Sequence, residues 1–377
     1  MTRPARTPSR LPADVLPAPR SEGDPVVDTA VERVGPMAAL ADEGGQPVSR
    51  GSAASGHVMG FARTYSLPVL LLGSFVLYGS WSKTSSVFLS ADNLRNMAAG
   101  QAVLGVLTLG ILLTMVSGHF DLSIGNIAGL SSIITAALFS HQHVPLVVGI
   151  LAGIAVGTVV GGINGVLVTV LRVDPFIITL GTASIILGYI DWYTHGQSII
   201  NGIPTSLVGF GGSNILGIPK VVYVLGAVAL LVYYLMEHTP YGRNLHAIGS
   251  NKAAARLVGI RVERTIIVAF ASTGAFAGVA GVLLLARTGA GNPQVGTTFT
   301  LTAVAAAFLG AASFKVGRLN VPGTIVAIFF LAVNITGLTF AGVENWINQL
   351  FTGLTLVLAI ALAAVLSKER KTRKAAS

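Results

Sequence analysis

Apolar residues run along this chain in blocks of about the same length, broken by short polar or glycine-rich interruptions. A helix needs roughly 20 mostly apolar residues to cross a hydrocarbon core. From Leu67 onward the blocks predict ten such helices, over about 64–82, 94–116, 121–140, 144–171, 175–194, 221–236, 265–286, 299–313, 322–341 and 346–366. The fifth and eighth are the most interrupted by glycine and polar residues. Before them, residues 1–60 show no apolar periodicity; they are rich in Pro, Gly, Ala and Arg, mix both signs of charge, and predict a disordered cytoplasmic extension. That stretch also lacks the apolar core of a secretory signal peptide. The expected organisation is therefore a 1–60 extension, a membrane domain over 61–367 with a long polar loop at 237–264, and a basic tail at 368–377.

Composition fits an all-α polytopic membrane protein. Hydrophobic residues make up 52% and charged residues only 10% of the chain, against about 25% charged in soluble domains. The 45 glycines suit helices whose backbones approach closely. With no cysteine, disulfides, thiolate metal sites and a cysteine nucleophile are excluded.

The net charge of +9 acquires meaning from its placement. With the N-terminus inside, thirteen basic residues fall in internal loops and the tail, from Arg172 through Arg243, Lys252, Arg256, Arg261, Arg264, Lys315 and Arg318 to Lys374. Only Lys83, Arg95, Lys220 and Arg287 fall outside. This is the positive-inside asymmetry of ten spans with both termini cytoplasmic in an inner membrane. Trp81, Trp192–Tyr193 and Trp346 sit at the expected outer ends, where amphipathic rings anchor.

Two further patterns bear on function. Asn164 followed by Asp174, Phe176 and Gly181 is echoed by Asn334 followed by Glu344, Trp346 and Gly353, in spans of opposite direction, as in transporters built from inverted repeats. At Gly118–Gly125, two glycines and Asp121 interrupt an apolar run. Three roles are open to Asp121: capping the third span through Ser123 or Ile124, lining a solute path, or sharing a proton with His119.

The loop from Tyr241 to Arg264 carries more design than a connector needs. Ser250 and Asn251 are good N-caps, Lys252–Val258 is a run of helix formers, and Gly259 closes it. The result is a short helix with Ala254, Leu257 and Val258 on an apolar face, suited to docking another subunit. The turn Gly310–Thr324, with Lys315, Arg318 and Pro322, reads as a topology determinant. There is no Gly-x-x-x-x-Gly-Lys-Ser/Thr string, so no nucleotide cofactor is expected on this chain, and no metal or catalytic motif marks it as an enzyme. Mid-span polar groups such as Asn164, Thr179, Thr182 and Asn334 are neutral, which suits a hydroxylated solute and not an ion-coupled carrier.

Phe120–Gly125, Asn164–Gly165, Asp174–Thr182, Gly196–Gln197, Gly242–Arg243 and Ala247–Ile260 together resemble the membrane subunits of ribose-type ATP-binding-cassette sugar importers, over roughly Phe88–Leu366. The resemblance implies a type II importer fold with inverted repeats and a paired permease. Its partners would be a separate cytoplasmic ATPase, an extracytoplasmic sugar-binding protein and a second permease subunit. It places ATPase coupling on Ala247, Gly249, Asn251, Ala254, Arg256, Leu257 and Gly259. Asp121, Ser123, Asn164, Thr179, Thr182 and Asn334 are the candidate solute-path residues by polarity and depth. Gly310, Ser313, Gly317, Arg318, Gly323 and Thr324 match a glycine-rich motif of that family, whereas Phe314, Lys315, Val316 and Leu319 replace small residues, as do His119 and His195. Branched-chain amino acid permeases of the same fold and an ion-coupled transporter are the alternatives.

Overall fold

The computed structural model describes residues 51–344 and 346–375. In chain order its elements are α1 (Gly51–Ser80), α2 (Ser85–Phe88), α3 (Ala91–Val116), α4 (Ile124–Gln142), α5 (Leu146–Val170), α6 (Pro175–Thr194) and α7 (Thr205–Gly212). There follow a two-residue hairpin of β1 (Asn214–Ile215) and β2 (Ile218–Pro219), α8 (Lys220–His238), α9 (Pro240–Ser250) and α10 (Lys252–Leu257). The chain then continues through α11 (Val262–Thr288), α12 (Val295–Gly310), α13 (Val321–Phe340) and α14 (Trp346–Ala375).

Among the described residues, seven helices are long and apolar enough to cross a membrane: α3, α4, α5, α6, α8, α11 and α13. Thr64–Ser80 in α1, Val295–Gly310 and Trp346–Ala361 are shorter apolar runs, the second of them about 24 Å long at 1.5 Å per residue. An apolar helix thus lies over each expected span, seven of them long enough to cross a membrane and three shorter. Residues 1–50 of the expected extension lie outside the described residues. Its last ten residues belong to α1, which begins at Gly51; extending a helix already nucleated by the first span costs little. The basic tail likewise continues α14 as far as Ala375.

The interior is held by backbone approach as much as by side chains. Along α5, Gly149, Gly153, Gly157, Gly161 and Gly165 recur every fourth residue on one buried face. A Cβ on Gly157 would stand 2.3 Å from the Gly274 carbonyl oxygen of α11, and one on Gly274 would stand 2.1 Å from that of Gly157. Small residues at four-residue spacing permit such contact where no hydrophobic effect drives helices together.

The helices repeat. α5 packs along α11 as α13 packs along α3; α4 lies on α11 as α12 lies on α3; α4 and α5 pair as α12 and α13 do; α6 meets α4 and α5 as α14 meets α12 and α13. The pattern extends to the turns. Ser117-Gly118-His119-Phe120-Asp121-Leu122-Ser123-Ile124-Gly125 leads from α3 into α4, and Thr288-Gly289-Ala290-Gly291-Asn292-Pro293-Gln294-Val295-Gly296 leads from α11 into α12, 171 residues later. Gly118 and Gly289 both have positive φ, 83° and 64°. Asp121 Oδ1 accepts from the Ser123 amide, and Asn292 Oδ1 accepts from the Gln294 amide, each at 2.9 Å. Gly125 and Gly296 then meet where α4 crosses α12.

Loops gather at two ends of the bundle. At one, Gly249 meets Val116, and the α12–α13 turn is tied to α8 by a Lys315–Glu237 ion pair. At the other, Ile199 bridges Gly291, and the Arg95 guanidinium donates to the Gly217 carbonyl. The first end carries Arg172, Arg243, Lys252, Arg256, Arg261, Arg264, Lys315 and Arg318 and is called the basic face below.

Candidate coupling platform and solute path

The polar loop over 237–264 folds as two helices rather than one. Thr239 caps α9, its hydroxyl accepting from the Gly242 amide at 3.3 Å, with Pro240 in the first turn, where its missing N–H costs nothing. Asn251 ends α9 and caps α10, its Oδ1 accepting from Ala253 and Ala254 amides at 3.0 Å each. Gly259, at φ 83°, terminates the pair. α9 buries Gly242, Leu245 and Ile248. α10 buries only Ala255, while Leu257 and Val258 are 89% and 76% exposed. Ala254 and Asn251 are exposed as well, and Arg256 pairs with Glu263 across the platform's edge. Sequence reasoning missed α9; Thr239–Pro240 was the cap-and-proline signal that announced it.

Gly249 seats this platform on the turn leaving α3. A Cβ there would stand 2.0 Å from the Val116 carbonyl oxygen, so only glycine allows the approach. Ala247 packs into the buried group of Val168, Ile248, Ala255, Val262, Ile266 and Phe270, tying the platform to α5 and α11. His119 lies beneath: its ring is edge-on to Phe270 with centroids 6.2 Å apart, and its Nδ1 is 2.9 Å from Ser117 Oγ. Burial is the main force holding its imidazole below the ordinary histidine value; nearby Lys252 reinforces it, and Ser117 and Asp174 oppose it.

Five of the six solute-path candidates interlock one turn deeper. Asp121 is fully buried, and its Oδ1 accepts from both the amide and the hydroxyl of Ser123, at 2.9 and 2.6 Å. The Ser123 hydroxyl accepts from Asn164 Nδ2 at 2.9 Å, and Asn164 Oδ1 accepts from the Thr182 hydroxyl at 2.7 Å. Thr179 Oγ1 accepts from the Leu122 amide at 3.1 Å and donates to the Pro175 carbonyl at 2.9 Å. Asn164 on α5 thus joins α4 to α6. Asp121 and His119 share no hydrogen bond, so the proton relay entertained from sequence is not formed: the histidine's bond goes to Ser117. Asn334 lies apart, accepting from Ser74 of α1 at 3.3 Å and donating to the Phe330 carbonyl of its own helix at 2.8 Å.

Residues 93–360, more than half of the chain, match the family described as "Branched-chain amino acid transport system / permease component". The chain belongs to this permease family. Among curated proteins, the ribose import permease protein of Escherichia coli strain K12 is 31% identical over 293 residues, covering 77% of this chain and 91% of that protein. The D-allose transport system permease protein of the same strain is 32% identical over 292 residues, covering 78% and 89%. The autoinducer 2 import system permease protein of Yersinia enterocolitica is 30% identical over 309 residues, covering 80% and 93%.

The permease is accordingly a multi-pass transport component and not an enzyme. A cavity of about 1020 Å³ lies between α3, α11, α12 and α14, toward the end opposite the basic face. None of the five interlocked residues lines it, and Asn334 adjoins it only through its neighbour Ile335. Its polar lining comes instead from Gln101, Thr302, Asn348, Thr352 and their neighbours, which sequence reasoning passed over. The available signal was a run of amides and hydroxyls inside apolar spans, Asn348 and Thr352 being one helical turn apart. The substituted turn is also put to use: Phe314 donates its amide to the Thr64 carbonyl at 2.9 Å and packs edge-on to Tyr65, and Lys315 makes the pair with Glu237.

Proposed function

We propose that this permease is the membrane subunit of an ATP-binding-cassette importer that brings a monosaccharide, ribose or a similar pentose, across the cytoplasmic membrane. The observation that carries the reading is the helical platform α9–α10. It is seated backbone-to-backbone on the α3–α4 turn, yet it presents Leu257 and Val258 almost fully exposed. Two large aliphatic side chains on a polar, basic end of the molecule suit a partner's groove. A push on α10 is delivered through Gly249 to the turn that leads into Asp121, Ser123 and Asn164.

In this reading the basic face is cytoplasmic, both termini are inside, and a separate ATPase subunit hydrolyses ATP against Ala247–Gly259. This chain itself holds no nucleotide or other cofactor. A sugar-binding protein delivers solute to the opposite face, and a second permease subunit completes the complex. The sugar-import names of the curated relatives support a monosaccharide over a branched-chain amino acid.

The decisive experiment reconstitutes the permease in liposomes with a cognate ATPase and sugar-binding protein. ATP-dependent uptake of D-ribose, and not of L-leucine, is the expected result; uptake driven by a proton or sodium gradient with no ATPase present overturns the reading. Leu257→Asp, at an exposed position, is expected to leave the fold intact and abolish co-purification of the ATPase. Retained binding removes the docking surface from the proposal.

A further inference from the structure

The cavity between α3, α11, α12 and α14 is bordered by one ionisable side chain, Arg287. Among the described residues this half-buried guanidinium pairs with no carboxylate. It also borders a smaller space of about 290 Å³ at the bundle end, shared with Asp92, Arg95 and Asn96. Arg287 thus stands between an outer vestibule and the inner cavity. Two amides on the cavity wall are unsatisfied: Gln101 Oε1 on α3 and Asn348 Oδ1 on α14 are shut off from solvent and accept no hydrogen bond. Buried acceptors are normally matched.

We infer that this cavity is a solute site on the permease itself and that its ligand is a neutral polyhydroxylated molecule of monosaccharide size. The inference rests on the importer reading above and adds a selective site within the membrane subunit. The chemistry decides the class. A terminal amide presents an acceptor on one side and a donor on the other, so the two amides call for a ligand that both donates and accepts; an ionised carboxylate only accepts, and a cationic ligand is repelled by Arg287. A sugar hydroxyl donates and accepts at once. As they stand, the two oxygens are turned away from the cavity; a half-turn of the soft last torsion brings either one to face it, and a hydroxyl then pairs with whichever side of the amide it meets. Arg287, Thr302 and Thr352 offer further partners, and Phe299 supplies an apolar wall for a ring face. A mostly apolar cleft with a few convergent polar groups is the usual form of a small-molecule site.

The test uses the full chain in lipid nanodiscs without ATPase or binding protein, probed with D-ribose, D-allose and D-galactose by saturation-transfer NMR. The site predicts transfer to at least one of these and no preference for ribose 5-phosphate over D-ribose. Gln101→Leu and Asn348→Leu should each weaken binding about tenfold, the loss of one buried hydrogen bond. The isosteric Thr352→Val, which removes a single hydroxyl, should weaken it a few-fold, and Arg287→Gln should retain most of it. Melting temperatures identify any variant that has lost its fold; Thr352→Val then carries the test. Equal transfer to wild type and all variants overturns the site, as does preference for ribose 5-phosphate that vanishes in Arg287→Gln. If the permease alone binds no sugar while the assembled importer takes one up, the site fails and the importer reading stands. If the assembled importer takes up none of the three, the importer reading fails and the site with it.

Discussion

The two halves of the permease, α3–α6 and α11–α14, repeat one arrangement of helices and one turn, yet they finish differently. In the first half the turn is packed shut. Gly249 of the platform lies on it, His119 fills the space below, and Asn164 bonds Ser123 at the N-cap of α4 and Thr182 of α6 at once. In the second half Asn292 stands for Asp121, Ala290 for His119 and Gly291 for Phe120, so the turn carries little side-chain bulk. Asn334 spends its hydrogen bonds on α1 and its own helix, so among the described residues no side-chain bond like that of Asn164 joins α12 to α14, and both helices line the cavity. One fold unit is a clamp under the α9–α10 platform and the other, on the inference above, a solute chamber. Inverted repeats permit this because their turns lie at opposite ends of the bundle.

The largest effect is expected where the halves touch. A Cβ on Gly125 would stand 2.3 Å from the Gly296 carbonyl oxygen and 2.5 Å from Thr300 Oγ1; one on Gly296 would stand 2.7 Å from the Gly125 carbonyl oxygen. Thr300 Oγ1 also accepts from the Gly125 amide at 3.2 Å. Gly125→Ala should therefore destabilise by about 3 kcal/mol and Gly296→Ala by about 1–2 kcal/mol, within the range for overpacked seams. Thermal unfolding in one detergent ranks them. Equal midpoints for wild type and both variants would mean the crossing is looser than backbone contact requires.

A middle-sized effect separates clamp from chamber. Asn164 is fully buried with two side-chain partners on different helices, whereas Asn334 is 9% exposed with one distant partner. Asn164→Ala leaves Ser123 and Thr182 short of a partner and should cost about 2–3 kcal/mol; Asn334→Ala should cost about 1 kcal/mol. Uptake by the assembled importer should fall with Asn164→Ala beyond what lost protein explains. The reverse order of stabilities would dissolve the distinction between the halves.

How far these features were legible in the sequence follows their physics. Spans were readable because each is one contiguous apolar block, and α10 was readable because cap, helix formers and closing glycine lie within nine residues, Asn251–Gly259. α9 was hidden by Pro240, Gly242 and Gly249, which read as breakers although one starts the helix and the other two permit close contact. The Asn164 and Asn334 echo was visible as identical letters. The stronger repeat, Ser117–Gly125 against Thr288–Gly296, was not, because Ser for Thr and Asp for Asn preserve the hydrogen bonds while changing the letters. The cavity could not be seen at all: its amides and hydroxyls come from four helices, and only packing brings Gln101 to the same space as Asn348.

The smallest effect is a pH dependence confined to the clamp. His119 lies in the α3–α4 turn, outside the spans, and burial, aided by Lys252, depresses its pKa from 6.5 against the pull of Ser117 and Asp174. A group that binds its proton less readily when folded contributes stability above its unfolded pKa and loses it as pH falls. The permease should therefore melt at lower temperature as pH drops below about 6.5, and His119→Gln should flatten that slope. His246 on α9 is depressed too, chiefly by burial, with Glu237 opposing and Arg318 and Lys315 reinforcing. His246→Gln should remove a second share, and the double variant most of the dependence on this side. The corresponding turn of the chamber half has Ala290 in place of the histidine, so Ala290→Ser should leave the slope as it was. If the slope survives in the double variant, titration at the platform does not distinguish the halves, and their difference rests on packing alone.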